Sequence, residues 1–268
     1  MEDKLNLSYL FKKSWDSVVE NAGFFAPLIF LFYFVPLSVY SLYLIHNPVD
    51  TSLLFDEASG VVHWDVVWAN LQIPLLAGLA ITIISYFSTV AILYFLFKKP
   101  DKNLGSLISK SSVYYFSVLA VVFLVGLMLI PLYLALIIPG IIFSVYWAFS
   151  YFFVIDEDED VVNSIKKSYR LVKGNWWGVL GRILLLSLIV FILSSAIKFS
   201  FMFVFLIIQG PSVFVTGLSF TNSIIYDLFE NVLFSLGYLF SLVYLYYLYI
   251  GLKEKKSAKS STSDVVEK

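Results

Sequence analysis

The amino-acid sequence predicts an all-α membrane protein with six transmembrane helices. Of its 268 residues, 60% are hydrophobic and 14% are charged, whereas soluble domains contain about 45–50% apolar and about 25% charged residues. The apolar residues are concentrated in long runs, several of which exceed the roughly 18–20 residues that cross a bilayer as a helix. The sequence lacks the alternating segments of about ten residues that are typical of membrane β-barrels.

Six apolar runs are predicted to be spans, at about residues 24–45, 73–97, 113–132, 138–155, 178–208 and 231–252. No charged residue separates the third span from the fourth, yet an unbroken helix from 113 to 155 would be about twice the needed length. A sharp turn is therefore predicted between Pro131 and Gly140. Pro139 and Gly140 are the candidate turn residues, because proline suits the first turn of a helix.

Basic residues predict the orientation of the spans. All of the 18 Lys and Arg residues except Lys198 lie near the N-terminus, in or close to the second-to-third and fourth-to-fifth connections, or in the C-terminal tail. The positive-inside rule then places both termini in the cytoplasm, which agrees with an even number of spans. We therefore expect residues 1–252 to form one polytopic domain in a cell membrane. The Ser/Lys-rich tail, 253–268, is predicted to be disordered and cytoplasmic.

A charged segment, DEDEDVVNSIKKSYRLVKGNWW at residues 156–177, interrupts the apolar sequence. From Val161 to Trp176, apolar residues recur at helical spacing, and basic residues fall on the opposite face. A helix of this kind lies in the plane of a membrane surface. The preceding acidic residues favour its N-terminus through the helix dipole, and Trp176 and Trp177 suit the depth at which the chain enters lipid. The segment is therefore predicted to contain an amphipathic interfacial helix before the fifth span.

The same pattern recurs near the N-terminus, where KKSWDSVVEN from Lys12 matches KKSYRLVKGN from Lys166. A fainter copy has Leu104, Ile108 and Ser111 at equivalent spacing. The pattern predicts three units, 5–97, 101–155 and 157–252, each with an interfacial helix before a pair of spans. The alternative is that basic helices before spans are alike by chance. The candidate lipid-interface residues are Lys12, Lys13, Trp15, Lys166, Lys167, Arg170, Lys173, Trp176 and Trp177.

One stretch of the sequence carries a family resemblance. Residues 138–181 contain the Ile-Pro-Gly of Ile138, Pro139 and Gly140, the acidic turn, Ser168 within KKSYRL, and VKGNWWGVLG. This stretch resembles the membrane-domain-like family of glycerophosphoryl diester phosphodiesterases, a group of prokaryotic multi-pass proteins. In some relatives the region is joined to a catalytic barrel, for which this chain has no room. The resemblance therefore implies the membrane part alone, without phosphodiesterase activity.

The residue types that usually carry catalysis or bind cofactors are sparse. The chain has no cysteine, which excludes disulfides and thiolate chemistry. The two histidines, His46 and His63, lie near carboxylates of the first outer connection (Asp50, Asp56, Glu57 and Asp65), but without a metal-ligand spacing. No nucleophile or phosphate-binding motif is present. We therefore expect no catalytic centre, no metal, no cofactor and no nucleic-acid partner.

Three charged residues lie within or beside apolar runs, where an unpaired charge costs about 2.5–3.5 kcal/mol on insertion scales. These are Lys198, Asp227 and Glu230. At about 1.5 Å per residue, Lys198 and Glu230 both reach the outer interface. Lys198 is predicted to form a structural ion pair there, with either Asp227 or Glu230 as its partner. The alternative is a substrate or ion site.

Two functions are consistent with these features. The basic interfacial helices favour a non-catalytic membrane scaffold or lipid-interacting protein whose partners are membrane lipids, including anionic headgroups. The repeat and Pro139-Gly140 favour a small-molecule or ion transporter or channel component instead. A hydrated cavity lined by Asn70, Gln72, Asp156 or Arg182 would support the transporter, and a dry bundle would support the first hypothesis.

Overall fold

The computed structural model describes residues 4–47, 55–56, 61–62, 64–100, 103–210 and 220–266. Within these residues, six helical segments are long and apolar enough to cross a membrane, which confirms the predicted class. His63, Asp50 and Glu57 lie outside the described residues. The six segments are Ala22–His46, Trp64–Lys98, Leu104–Ala135, Ile137–Asp156, Trp176–Ile208 and Thr221–Ala258.

The N-terminal helix α1 (Leu7–Glu20) begins at Asn6, whose side chain accepts a hydrogen bond from the Ser8 amide and so caps a free N–H group. The first span follows as α2 (Ala22–Ile29), a π-helical turn (Phe30–Phe34) and α3 (Val35–His46). Pro36 has no backbone N–H, and its ring crowds the carbonyl four residues earlier, which accounts for the widened turn just before it.

The connection after the first span contains two short antiparallel strands, β1 (Phe55–Asp56) and β2 (Val61–Val62). The second span, α4 (Trp64–Lys98), begins several residues before the predicted apolar run. The third span is α5 (Leu104–Ala135), which starts at an Asn103 cap.

The turn between the third and fourth spans lies at Leu136, the one extended residue between α5 and α6 (Ile137–Trp147). The chain thus turns inside the predicted window, but Pro139 and Gly140 are not the turn itself. They belong to the first turn of α6, where proline loses no intrahelical hydrogen bond. Gly140 is needed there for close packing, because a Cβ atom would lie 2.4 Å from a ring carbon of Tyr133.

The predicted fourth span is broken into two helices, α6 and α7 (Ser150–Asp156). The acidic run follows, and α8 (Val161–Val172) lies just beyond it. Gly174, with a φ of +88°, allows the sharp turn from α8 into the fifth span, α9 (Trp176–Gln209).

The last helix, α10 (Phe220–Val266), contains the sixth span and continues into the tail. Helix, and not irregular chain, is therefore found from Lys253 to Val266, which differs from the prediction of disorder. From Lys253 to Lys259 the physical reason is local, since KEKKSAK consists mainly of residues with high helix propensity.

Short helices precede the spans of the first and third predicted units, as α1 and α8. The second unit differs, because Leu104, Ile108 and Ser111 belong to the first turns of α5 itself. A separate interfacial helix before the third span is therefore a wrong prediction. The segment from Leu104 to Ser112 contains no proline, and the only helix-weakening glycine is Gly105 in the first turn, so the helix continues directly into its span.

The buried core lies toward the end of the bundle that carries the acidic run. Phe149 and Phe152 are fully buried against Tyr249 of α10, with ring centroids 5.9 and 5.3 Å from it. The fifth span is far less enclosed, because only 6% of its most apolar 18-residue stretch is buried inside the protein. It packs mainly on α10 and presents most of its length outward.

Candidate functional site

The acidic run 156–160 forms an ionic cluster that joins four helices at one end of the bundle. Asp156 accepts hydrogen bonds from the Tyr249 hydroxyl at 2.8 Å and from Lys253 Nζ at 2.6 Å, both on α10. Glu157 binds the same Lys253 at 2.6 Å. These contacts tie the end of the fourth span to the end of the sixth.

The remaining contacts of the ionic cluster reach α4, α5 and α8. Asp158 accepts from Lys98 Nζ at 3.0 Å and from the Tyr114 hydroxyl at 2.5 Å. Lys167 of α8 binds both Glu157 and Glu159 at 2.5 Å. Asp158 adopts a φ of +55°, a left-handed conformation that aspartate tolerates better than most residues. This bend lets consecutive acidic side chains point to different helices.

The contacts of the ionic cluster shift the pKa values of its loop residues. Burial opposes ionisation of Glu157, but hydrogen bonds from Lys167 and Lys253 outweigh it and lower the pKa of that carboxyl. The hydrogen bond from Tyr114, followed by that from Lys98, lowers the pKa of Asp158. The hydrogen bonds that Lys167 donates to Glu157 and Glu159 raise the pKa of the lysine. Each shift stabilises the charged form, so the ionic cluster holds together as ions.

The α8 helix begins at Asp160, whose carboxylate accepts hydrogen bonds from the amides of Val162 and Asn163. Ile165 and Val172 of the predicted apolar stripe are buried against the bundle. Of the predicted lipid-interface residues on this helix, Lys166 and Arg170 are exposed, as is Lys173 just beyond it. Lys167 is different, because it is half-buried between two glutamates. Carboxylates of its own chain occupy the position where a lipid headgroup was expected.

The other predicted interface residues divide between exposed and packed positions. Lys12, Lys13 and Trp15 are exposed on α1, as is Trp177 on α9. Trp176 is half-buried and donates a hydrogen bond from its indole N–H to the Ile142 carbonyl at 3.1 Å. Its ring therefore holds α9 against α6.

Ser168 holds the break between α6 and α7 in place. Its fully buried hydroxyl donates to the Tyr146 carbonyl at 2.7 Å and accepts from the Phe149 amide at 3.1 Å. It thus satisfies one free group on each side of the break. The sequence marks Ser168 only through the family resemblance, and nothing in its spacing predicts a contact with a helix 20 residues earlier.

The predicted ion-pair residues lie at the opposite end of the bundle. Lys198 Nζ is 2.7 Å from Glu230 Oε1, and both side chains are about three-quarters buried. Asp227 is not the partner of Lys198. It accepts a hydrogen bond from Asn231 at 3.2 Å, and Asn231 also donates to Ser41 at 2.9 Å. This second contact ties α10 to α3.

A cavity of about 380 Å³ lies between α9 and α10 and ends at this ion pair. We call it the α9–α10 groove. Its rim rings, Phe191 and Phe234, are largely exposed on the outside of the bundle, so the groove opens laterally. Its walls are mainly apolar, with hydroxyls spaced along them. Its lining includes Ser187, Val190, Ser194, Lys198, Glu230 and Leu233.

A second cavity of about 340 Å³ lies among α3, α4, α7 and α10. Tyr33 and Tyr238 line both cavities, and their rings are stacked with centroids 4.3 Å apart. The Tyr238 hydroxyl also forms a hydrogen bond with Thr89 of α4. The stacked pair therefore separates two half-open spaces within the bundle.

Neither cavity is lined by Asn70, Gln72, Asp156 or Arg182. Arg182 donates instead to the carbonyls of Leu5 and Gly178. Among the described residues, no group of three or more His, Asp and Glu side chains could hold a metal ion. The cavities are thus lined by apolar groups, hydroxyls and one ion pair, which suits binding more than acid–base chemistry.

These features define an integral membrane protein with six apolar helices, an ionic cluster at one end and a lateral groove between its last two spans. Residues 73–252 match the family described as a domain of unknown function, DUF7847, and the chain belongs to that family. The comparisons found no match among curated proteins or solved structures.

Proposed function

We propose that this protein is a non-catalytic, lipid-interacting membrane protein whose α9–α10 groove accepts a lipid chain. The observation that carries the proposal is a laterally open apolar groove that ends at an ion pair. Its volume of about 380 Å³ falls in the range of small-molecule sites, about 300–1,000 Å³. In a bilayer, the apolar groups that lie next to such a lateral opening are the acyl chains of lipids.

The length of the groove fits one leaflet. Ser187 and Lys198 mark its two ends on α9, about 16 Å apart at 1.5 Å per residue. Half of a hydrocarbon core of about 30 Å is about 15 Å. A chain in the groove would therefore run from the bilayer centre to the interface, where Lys198 and Glu230 can contact the polar part of the lipid.

The test is photo-crosslinking with a phosphatidylcholine that carries a diazirine on its acyl chain. In the full chain reconstituted in nanodiscs, adducts should form at Val190 and Leu233, inside the groove. Ser194→Leu fills the groove and should reduce these adducts about fivefold or more, whereas Ser200→Leu should not. The two serines are matched, because each donates to a carbonyl of its own helix and only Ser194 lines the groove. Equal labelling in the two variants would reject the proposal.

A transporter or channel component is the second candidate, and it is favoured by the two cavities on either side of Tyr33 and Tyr238. If the stacked pair closes a path, Tyr238→Ala should increase the flux of small solutes into proteoliposomes, and Tyr238→Phe should change it little. Equal flux through both variants and the unmodified protein would reject the transporter candidate, and lipid binding would be the one proposed function that is left.

The orientation and the wider kinship belong to the same proposal. We place the protein in a cell membrane with both termini in the cytoplasm, and we assign it no enzymatic activity. The kinship of residues 138–181 to membrane domains of the glycerophosphoryl diester phosphodiesterase group is supported by sequence resemblance. A repeat of the first and third units is supported by the matching segments from Lys12 and Lys166.

A further inference from the structure

A third cavity, of about 280 Å³, lies between α8 and α10 at the end of the bundle that carries the ionic cluster. Four basic side chains line it, two from each helix, against one acidic side chain. The basic residues are Lys167, Arg170, Lys253 and Lys256, and the acidic residue is Glu157. We call this cavity the basic pocket.

The basic pocket has positive charge that its own ion pairs do not neutralise. Lys167 and Lys253 are bound by the carboxylates of the ionic cluster. Arg170 and Lys256 form no ion pair with any carboxylate among the described residues, and both are exposed. The Lys256 ammonium donates to the Arg170 backbone carbonyl, which brings the two helices together while leaving the guanidinium free.

The floor of the basic pocket is apolar. Phe153 and Leu171 line it and are nearly buried, at 4% and 7% exposure. The pocket lies beside Lys253, about 35 Å along α10 from Glu230 at 1.5 Å per residue. It is therefore at the membrane surface opposite the Lys198–Glu230 ion pair, at the depth of lipid headgroups.

We propose that the basic pocket binds the phosphate group of an anionic ligand through Arg170 and Lys256, with a phosphomonoester lipid headgroup as the favoured ligand. Guanidinium binds phosphate oxygens in a bidentate manner, and ammonium adds a point charge. Basic pockets between spans at the cytoplasmic side bind anionic headgroups. A free phosphate compound shares the chemistry but has no use for the apolar floor. The proposal rests on the proposed lipid-binding function, in which it names a second and charge-selective site.

The test uses full-length protein in dodecyl maltoside, a detergent without phosphate, with dioctanoyl phosphatidate as the probe. Arg170→Gln/Lys256→Gln should weaken phosphatidate binding at least about tenfold, because two charge-assisted hydrogen-bonding groups are lost. The matched control is Lys166→Gln/Lys255→Gln, which removes the same charge from the same helices outside the basic pocket. It should change the affinity less than about twofold.

Further ligands distinguish the sources of the phosphate. If the protein binds phosphatidate but neither inorganic phosphate nor dioctanoyl phosphatidylcholine, the ligand is a phosphomonoester lipid headgroup. Equal affinity for phosphatidate and inorganic phosphate would instead assign the site to a free phosphate compound. No phosphatidate binding, or an equal loss of affinity in both double variants, would overturn the site.

If Arg170→Gln/Lys256→Gln is unstable, Arg170→Lys should fold and bind phosphatidate with intermediate affinity. Unchanged affinity in this variant would also overturn the site. Ser194→Leu should leave phosphatidate binding intact, which separates this site from the α9–α10 groove.

Discussion

Lys198 and Glu230 are joined across the last two spans by an ion pair with 2.7 Å between Nζ and Oε1. Asp227 lies one turn earlier on α10 and binds Asn231 instead. Since only 6% of the most apolar stretch of the fifth span is buried inside the protein, this pair is a main polar attachment between the helices.

Reversing one charge of the pair should destabilise the protein. Lys198→Glu should lower the thermal unfolding midpoint in detergent, and adding Glu230→Lys should recover part of the loss, with a coupling free energy of about 1–3 kcal/mol. Adding Asp227→Lys should recover none. A double-mutant cycle measured by thermal unfolding gives the coupling, and recovery by Asp227→Lys alone would contradict the observed pairing.

The two buried tyrosines of α10 should respond differently to the loss of a hydroxyl. Tyr249 donates to Asp156, so Tyr249→Phe should cost about 1.5–3 kcal/mol of unfolding free energy. Tyr244 is fully buried, and no described residue offers its hydroxyl a hydrogen-bond partner. Tyr244→Phe should therefore be neutral or stabilising by about 1 kcal/mol. Denaturant unfolding compares the two, and an equal cost would show that the Tyr249 contact contributes little.

Acid should weaken the ionic cluster. The lowered pKa values of Glu157 and Asp158 mean that their stabilisation is complete above the ordinary values of 4.5 and 3.8. It is lost as the pH falls through the lowered values. The unfolding midpoint should therefore drop between pH 5 and about pH 2. Glu157→Gln/Asp158→Asn should lower the midpoint at pH 7 and flatten this dependence. If the unfolding midpoint of this variant falls with pH as steeply as that of the unmodified protein, other carboxyl groups cause the acid sensitivity.

The proposed orientation is tested by thiol labelling, since the chain has no cysteine of its own. Asn47→Cys, at the exposed end of the first span, should react with an impermeant maleimide added to intact cells. Lys166→Cys, exposed on α8, should react only after permeabilisation. The reverse pattern would invert the proposed topology.

The spans could be predicted from the sequence because a helix in lipid depends on one local property, the length of an apolar run. Lys167 is a residue whose contacts could not be predicted from local sequence. Its helical position places it on a basic face, but its real partners, Glu157 and Glu159, reach it only because Asp158 turns the backbone into a left-handed conformation. The periodicity of α8 contains no information about that bend.

The interior sites depend on still more distant residues. The α9–α10 groove exists because Val190, Ser194 and Leu233 come from helices that do not fill the space between them. The two cavities share Tyr33 and Tyr238, which belong to the first and sixth spans. Hydropathy places each residue in a span but does not determine which spans become neighbours, so neither cavity could be predicted.

The contacts of Ser168 have a consequence for biosynthesis. The bend between α6 and α7 depends on a hydroxyl from α8, and α8 is translated after the fourth span. We therefore expect the fourth span to enter the membrane without its final shape and to reach that shape only when α8 docks. A nascent chain that ends near Asp156 would carry free backbone groups at Tyr146 and Phe149. That intermediate should be recognised by quality-control proteases until the next helix has been made.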